Sequence, residues 1–197
     1  MLHAKKEVSR GATSILSMFA KLEFILQNLP MPSFVWKTTI ANIDMYVHKY
    51  DRRSCAEIGG RAERLFAAVS GGLGYKIKAS TDLENKIKRV DFYLEKEGET
   101  KGVDVKARKK VCASDKQYTD HWTWVEFKTA DGFAGWMYGE ADYIAFEKED
   151  YFLIVNTESL RNLAESLIDR SKEFVKRCDE AKYRIYQRRG QEELSLI

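Results

Sequence analysis

The sequence predicts an α/β fold in which a mixed β-sheet is flanked by helices. Two patterns predict this class. Apolar residues recur at helical spacing in residues 54–70 and again in residues 157–179. Between these two segments, several short runs alternate apolar and polar residues, as half-buried strands do. The middle of the chain therefore runs helix, strand, strand, strand.

The elements of the main part of the chain follow from these patterns in order. We expect a helix over 54–70, strands over 75–79, 87–94, 103–108, 121–128, 136–138, 142–146 and 151–155, a long helix over 157–179, and a C-terminal β-hairpin over 183–197.

The first part of the chain carries two more amphipathic patterns, over residues 11–29 and 36–50. Pro30 and Pro32 separate them and end the first helix. We expect residues 1–53 to form a helical extension that packs on the core or mediates a homodimer. Residues 54–197 then form the main domain.

Composition excludes several classes of protein. Of 197 residues, 44% are hydrophobic and 12% aromatic, which is enough for a core and excludes disorder throughout. No apolar run reaches the roughly 18 residues of a membrane span, so we expect no membrane partner. The net charge of +3 permits nucleic-acid binding without requiring it.

Cysteine usage and the N-terminus bear on the compartment. Cys55, Cys112 and Cys178 are odd in number and lack CxxC spacing. This predicts unpaired cysteines in a reducing compartment and no zinc knuckle. Lys21 and Glu23 interrupt the N-terminal apolar stretch, so it lacks the core of a signal peptide. We expect a cytoplasmic protein, in the host cell if the chain is viral.

The chemistry is concentrated between residues 89 and 110. Asp104 and Lys106 are two residues apart on a strand, so they lie on one face. Asp91 lies on the preceding strand and meets that face in a hairpin. Carboxylates gathered in this way suit Mg²⁺ or Mn²⁺, which prefer oxygen ligands.

This cluster predicts specific roles. Asp91, Asp104 and the carbonyl of Val105 would hold the metal, and Glu63 would add a ligand directly or through water. Lys106 would orient or deprotonate the attacking water, or stabilise charge on phosphorus. The alternative is a surface ladder of salt bridges on an exposed sheet face.

A glutamate on a helix followed by these strand residues resembles the PD-(D/E)XK nuclease superfamily, in particular phage and viral nucleases and Holliday-junction resolvases. Glu63 matches the helix glutamate, Asp91 the strand aspartate, and Asp104 and Lys106 the (D/E)XK element. Val90 stands where the motif name has proline.

The resemblance implies a restriction-endonuclease-like αβββαβ core. It also implies a catalytic set of Glu63, Asp91, Asp104 and Lys106 for Mg²⁺-dependent (or Mn²⁺-dependent) hydrolysis of DNA phosphodiester bonds. Selectivity for branched or junction DNA is one form this activity takes. No clear helix follows Lys106, because a basic loop leads directly to a tryptophan-rich strand.

Three alternatives stay open at this point. The same fold acts on RNA, or the acids are relics in a non-catalytic nucleic-acid-binding module or protein-interaction domain. A second acid-x-lysine element, Glu126 and Lys128, competes for the catalytic role with Asp104 as its preceding aspartate. Its own alternative is a solvated strand face.

Basic and aromatic residues beyond the cluster suggest a nucleic-acid contact. Phosphate contacts are predicted for Arg108, Lys109, Lys110 and Lys116. Four aromatic residues either stack on unpaired bases or, as we favour, pack in the fold: Trp122, Trp124, Trp136 and Tyr138.

Overall fold

The computed structural model describes the backbone of residues 52–197 and the side chains from residue 56 onward. All of these residues belong to one compact unit, Ser33–Ile197. The helices predicted over 11–29 and 36–50, and the extension predicted over 1–53, lie outside the described residues.

The described elements alternate between helix and strand in the first half and are mostly strands in the second. In chain order they are α1 (Arg52–Gly72), β1 (Lys76–Ala79), α2 (Asp82–Lys88), β2 (Phe92–Lys96), β3 (Glu99–Lys106), β4 (Trp124–Lys128), a 3₁₀ turn (Trp136–Tyr138), β5 (Tyr143–Glu147), β6 (Phe152–Asn156), α3 (Thr157–Leu167), a second 3₁₀ turn (Cys178–Glu180) and β7 (Glu193–Leu196).

Five strands form a mixed sheet in the order β1-β2-β3-β5-β6. The first three strands form an antiparallel meander, whereas β3 and β5 are parallel. In that parallel pair Asp104 lies beside Ile144 and Lys106 beside Phe146. The predicted α/β class with a mixed sheet flanked by helices is confirmed.

Each face of the sheet is covered by a different layer. Val103 and Val105 of β3 pack against Ala62 and Phe66 of α1. The alternate face carries Ile144 and Phe146, which join a core completed by β4, the first 3₁₀ turn and α3. Because strand neighbours point to opposite faces, Asp104 and Lys106 lie on this second face.

The crossover between the parallel strands β3 and β5 contains no α-helix. It holds β4 and the first 3₁₀ turn, and β4 pairs with β7 in a separate two-stranded antiparallel sheet. The sequence had indicated a loop rather than a helix after Lys106, and the structure agrees. Strand β5 therefore follows a non-helical connection.

Three predictions about the C-terminal half were wrong. Residues 136–138, expected to form a strand, form the first 3₁₀ turn instead. The C-terminal strand does not form a local hairpin: β7 pairs with β4, and only an isolated bridge joins Tyr186 to Leu194. The long helix over 157–179 ends at Leu167. Asp169 accepts a hydrogen bond from the N–H of Ser171 at 3.0 Å, a local side-chain contact that competes with helix continuation.

No helix among residues 52–197 is long and apolar enough to cross a membrane.

Candidate active site

Asp91, Asp104 and Lys106 meet at the start of β2 and the end of β3. The ammonium of Lys106 donates to Oδ1 of Asp104 at 2.6 Å. The N–H of Val105 donates to Oδ2 of Asp91 at 2.7 Å, which ties Asp91 to the strand that carries the other two residues. The structure thus brings together three of the four side chains to which the sequence assigned catalysis.

The local fold around Asp91 explains its fixed position. Helix α2 begins with a capping box between Thr81 and Glu84 and ends at Arg89, whose left-handed φ of 58° turns the chain toward β2. The N–H of Asp91 donates to the carbonyl of Val103 at 2.9 Å. Asn85 donates its side-chain amide to Oδ1 of Asp91. Both carboxylate oxygens of Asp91 are therefore held, each with lone-pair capacity remaining.

Asp104 is a buried carboxylate with only one of its oxygens satisfied. The residue is 2% exposed, and no N–H group of the described residues donates to Oδ2, although the Asp104 and Asp91 carboxyl groups are close enough to share a proton. Burial raises the pKa of Asp104 to about 7; the charge of Lys106 opposes this rise and that of Asp91 adds to it. A buried unpaired oxygen costs free energy, so a cation at this position would stabilise the site.

Glu63 and Asp91 lie on the same cleft, but no hydrogen bond joins their side chains. Both residues line an open cleft together with Ser80, Asp82 and Asn85. Burial, and then the charge of Asp91, raise the pKa of Glu63, whereas Lys106 and Arg64 lower it. Glu63 thus belongs to the same electrostatic environment as the other three.

The carboxylates are not packed tightly enough to share one small coordination sphere. Among residues 56–197, the acidic, cysteine and histidine ligand atoms that mutually approach within 4.8 Å come from Cys112, Cys178 and Asp179, not from the predicted acids. Glu63, Asp91 and Asp104 therefore form an open cluster.

Lys106 is held from a second side by an aromatic ring. Its Nζ lies 5.1 Å from the centroid of Trp136, a cation–π distance. Trp136 in turn packs edge-on against Phe146, with ring centroids 5.9 Å apart. Gly135 permits this arrangement, because a Cβ there would lie 2.0 Å from the carbonyl oxygen of Glu126.

Two of the predicted phosphate-binding residues are engaged within their own loop. Arg108 pairs with Asp120 at 2.8 Å and with Glu149 at 3.4 Å. Lys110 donates to the carbonyl of Asp115 at 2.7 Å. Lys109 and Lys116 are exposed to solvent.

The competing acid-x-lysine element does not contact Asp104. Glu126 accepts a hydrogen bond from the N–H of Trp136 at 3.2 Å, and Lys128 pairs with Glu193 at 2.6 Å. Both lie on β4, in the smaller sheet. Glu126 approaches the candidate active site only through Trp136.

The predicted aromatic residues mostly pack within the fold, as we favoured. Trp122 packs edge-on against Tyr183 at 5.6 Å, and Trp124 lies 5.8 Å from Tyr186. Tyr138 donates to Glu165 at 2.9 Å.

The prediction that the cysteines are unpaired was wrong for two of them. Cys112 and Cys178 form a disulfide across 66 residues of sequence, with their Cα atoms 5.6 Å apart. Oxidised sulfur offers no thiolate, so this pair and Asp179 do not act as a metal site while the bond persists. Spacing along the chain could not reveal a bond between such distant positions.

Sequence reasoning also missed residues that support the site. Asn85 falls between the strands expected over 75–79 and 87–94, although the Thr81-x-x-Glu84 capping-box signature marks the start of a helix there. The buried Glu147 pairs with Arg61 at 2.5 Å and accepts from the N–H of Arg108 at 3.1 Å. No signal in the sequence pointed to that pair.

Comparison of the chain with protein-family models, with curated proteins and with solved structures gave no match.

Proposed function

We propose that this chain is a divalent-metal-dependent endonuclease that hydrolyses DNA phosphodiester bonds. One observation carries the proposal. Asp104 is buried with an unpartnered oxygen, beside a second fixed carboxylate and a lysine whose ammonium reaches the same aspartate. A buried ion pair offsets its desolvation cost better when its remaining lone pairs are satisfied, so a cation at Oδ2 would stabilise this arrangement.

The donor set fits Mg²⁺ or Mn²⁺. Carboxylate and carbonyl oxygens are the ligands these ions prefer, and both ions retain several waters. Asp91, Asp104 and the Val105 carbonyl would hold the ion, and Glu63, the most distant member, would contribute directly or through a water. The ion would supply a bound water of lowered pKa and charge to offset that of the phosphate.

Lys106 has the position of a group that assists the attack. Its Nζ is fixed between Asp104 and the ring of Trp136, at 2.6 Å and 5.1 Å respectively. A half-buried ammonium held from two sides orients a water or stabilises developing negative charge without having to reorganise. Asp91 is held by Asn85 and by the N–H of Val105 and would keep its orientation while substrate binds.

The order of elements supports the PD-(D/E)XK assignment. A helix bearing Glu63 precedes an antiparallel meander bearing Asp91 and Asp104, and a parallel strand follows beside β3. This order resembles an αβββαβ core, except that α2 lies between β1 and β2 and that β4 and a 3₁₀ turn stand in place of the second helix.

The proposal is tested with labelled duplex, branched and single-stranded DNA and with RNA, each incubated with Mg²⁺, Mn²⁺ or EDTA. We expect metal-dependent DNA cleavage. Asp104→Asn and Lys106→Met should each lower the rate by about 10²-fold or more while DNA binding persists. Glu140→Gln, an exposed acid paired only with Lys88 at 3.5 Å, serves as the matched control.

Three outcomes would count against the proposal. Cleavage of RNA alone would reassign the substrate. Binding of nucleic acid without any metal-dependent product would favour a non-catalytic module. Full cleavage activity in Asp104→Asn would show that Asp104 is not part of the active site.

A further inference from the structure

A second cleft lies beside the candidate active site and shares Lys106 with it. It is formed by the end of β3, the segment 119–124 and the end of β5. We call it the cationic cleft, because four basic side chains line it: Lys106, Arg108, Lys109 and Lys148. The hydroxyl-bearing residues Thr119 and Thr123 also line it.

Lys148 is the unusual member of this set, because it is a buried ammonium with neutral partners. The residue is 5% exposed. Its Nζ donates to the carbonyl of Asp120 at 3.1 Å and to the hydroxyl of Thr123 at 2.9 Å. Within residues 56–197 no carboxylate lies within salt-bridge distance of it. Burial lowers the pKa of Lys148, with Asp120 opposing and Arg108 adding to the effect.

The carboxylates around the cleft are already committed to other cations. Asp120 and Glu149 pair with Arg108, and Glu147 pairs with Arg61 at 2.5 Å. The charge of Lys148 is therefore offset only in part, by the nearby Asp120. Burying a charge without an ionised partner is costly, so an anion in this cleft would be bound favourably.

The size of the cleft favours a phosphate group over a base. Its cavity has a volume of about 30 Å³, room for a few atoms of water size but not for a nucleobase. The non-bridging oxygens of a phosphate fit a cavity of this size. The rest of the phosphate would lie at the mouth of the cleft, beside the exposed Lys109. Lysine and hydroxyl donors are the groups that bind phosphate oxygens.

We propose that the cationic cleft binds a second phosphate of the substrate strand, next to the one that is hydrolysed, with Lys148 as its buried anchor. This inference rests on the proposed nuclease function for the identity of the strand. Lys106 connects the two positions, since its ammonium contacts the buried Asp104 of the candidate active site and its side chain also lines the cationic cleft. The strand would cross Lys106 and be aligned by the phosphates on either side.

The test is binding of a fluorescent single-stranded DNA oligonucleotide in EDTA, where metal-dependent hydrolysis is prevented. Lys148→Met should weaken binding about tenfold and reduce the slope of log K against log salt by about one. Lys172→Met is the control, because that lysine is 70% exposed, pairs with Asp169 and lies outside the cleft. An unchanged affinity and salt slope in folded Lys148→Met would overturn the proposal.

A scan on the unmodified protein keeps the proposal testable if Lys148→Met does not fold. Oligonucleotides with a single neutral methylphosphonate at successive linkages should show one linkage, beside the cleaved one, whose neutralisation weakens binding most. Equal effects at every linkage would overturn the assignment. So would inorganic phosphate bound at Lys148 with no effect of the variant on DNA, because the cleft would then take free phosphate.

The readouts separate this inference from the proposed function. DNA binding that depends on Lys148, without any metal-dependent cleavage, would contradict the nuclease function and support the phosphate site. Metal-dependent cleavage, together with DNA binding that does not change in Lys148→Met, would support the nuclease function and contradict the phosphate site.

Discussion

The backbone N–H of Val105 donates a hydrogen bond to Oδ2 of Asp91 at 2.7 Å. This contact joins the residue before β2 to the strand that carries Asp104 and Lys106. It is made by main chain, so no substitution at Val105 other than proline removes it. Asn85 is therefore the partner of Asp91 whose hydrogen bond can be removed by substituting a side chain.

Asn85→Ala is expected to weaken metal binding at the candidate active site. The substitution removes the donor to Oδ1 and lets the carboxylate rotate, and loss of such a supporting contact typically costs about 10- to 100-fold in metal affinity or activity. Isothermal titration with Mn²⁺ measures the affinity directly. Asp131→Ala is the control, since Asp131 is exposed and lies outside this cleft. Equal affinity in both variants would contradict the role of Asn85.

Asp104→Asn is expected to stabilise the metal-free protein at high pH. The pKa of this carboxyl rises from 3.8 to about 7 on folding, so the folded state holds a proton that the unfolded state releases. The free energy of unfolding therefore falls as pH rises from about 4 to 7. Asparagine carries no charge, so the variant should gain up to about 4 kcal/mol over wild type at pH 8.

Urea unfolding in EDTA at pH 4 and pH 8 measures this gain. Near pH 4 the two proteins should differ little. Asp131→Asn, at an exposed position, should show no such pH dependence. A variant that is equally destabilised at both pH values would argue that the carboxylate is not strained by burial.

Arg61→Met is expected to destabilise the fold, because it leaves Glu147 buried without its cation. Breaking a fully buried pair costs about 3–5 kcal/mol. Arg61 is 34% exposed, so water reaches the pair and we expect about 2–3 kcal/mol. Urea unfolding measures the loss, and Arg64→Met on the exposed side of the same helix is the control.

A second substitution separates charge from packing in this pair. Adding Glu147→Gln to Arg61→Met removes the uncompensated charge and should restore part of the stability, since glutamine still accepts from the N–H of Arg108. No recovery would indicate that Arg61 acts through the packing of its aliphatic part instead.

Cys112→Ser is expected to lower the free energy of unfolding by up to about 4 kcal/mol. The disulfide closes a loop of 66 residues, and chain entropy predicts a stabilisation of that size. Dithiothreitol should destabilise wild type similarly and leave the variant unchanged. Counting the reactive thiols tests the bond directly. Of the three cysteines, one should have a reactive thiol in the unfolded, unreduced protein. Three reactive thiols would show that the bond does not form.

Local sequence information correctly predicted the strand that carries Asp104 and Lys106 and the helix that carries Glu63. Alternation around Asp104 and Lys106 predicted a strand with both on one face, and β3 has that form because period-two patterning is a property of the strand itself. The helix bearing Glu63 also formed where its apolar stripe predicted it, and Phe66 of that stripe packs in the core beside Ala62.

The errors fall where a distant partner or a local side-chain contact overrides the pattern. Residues 183–197 alternate as a hairpin would, yet β7 pairs with β4, about 70 residues earlier in the chain. The predicted strand over 87–94 begins as the end of α2, because the Thr81–Glu84 capping box stabilises that helix.

The sequence by itself determined the class of fold, the strand that bears Asp104 and Lys106, and the chemical type of the cluster. Only the tertiary structure decided that one oxygen of Asp104 lacks a partner, that Arg108 and Lys110 serve their own loop, and that Lys148 is buried beside Lys106. The physical reason is that burial and pairing depend on residues far apart in the chain, whereas periodicity and capping depend on neighbours.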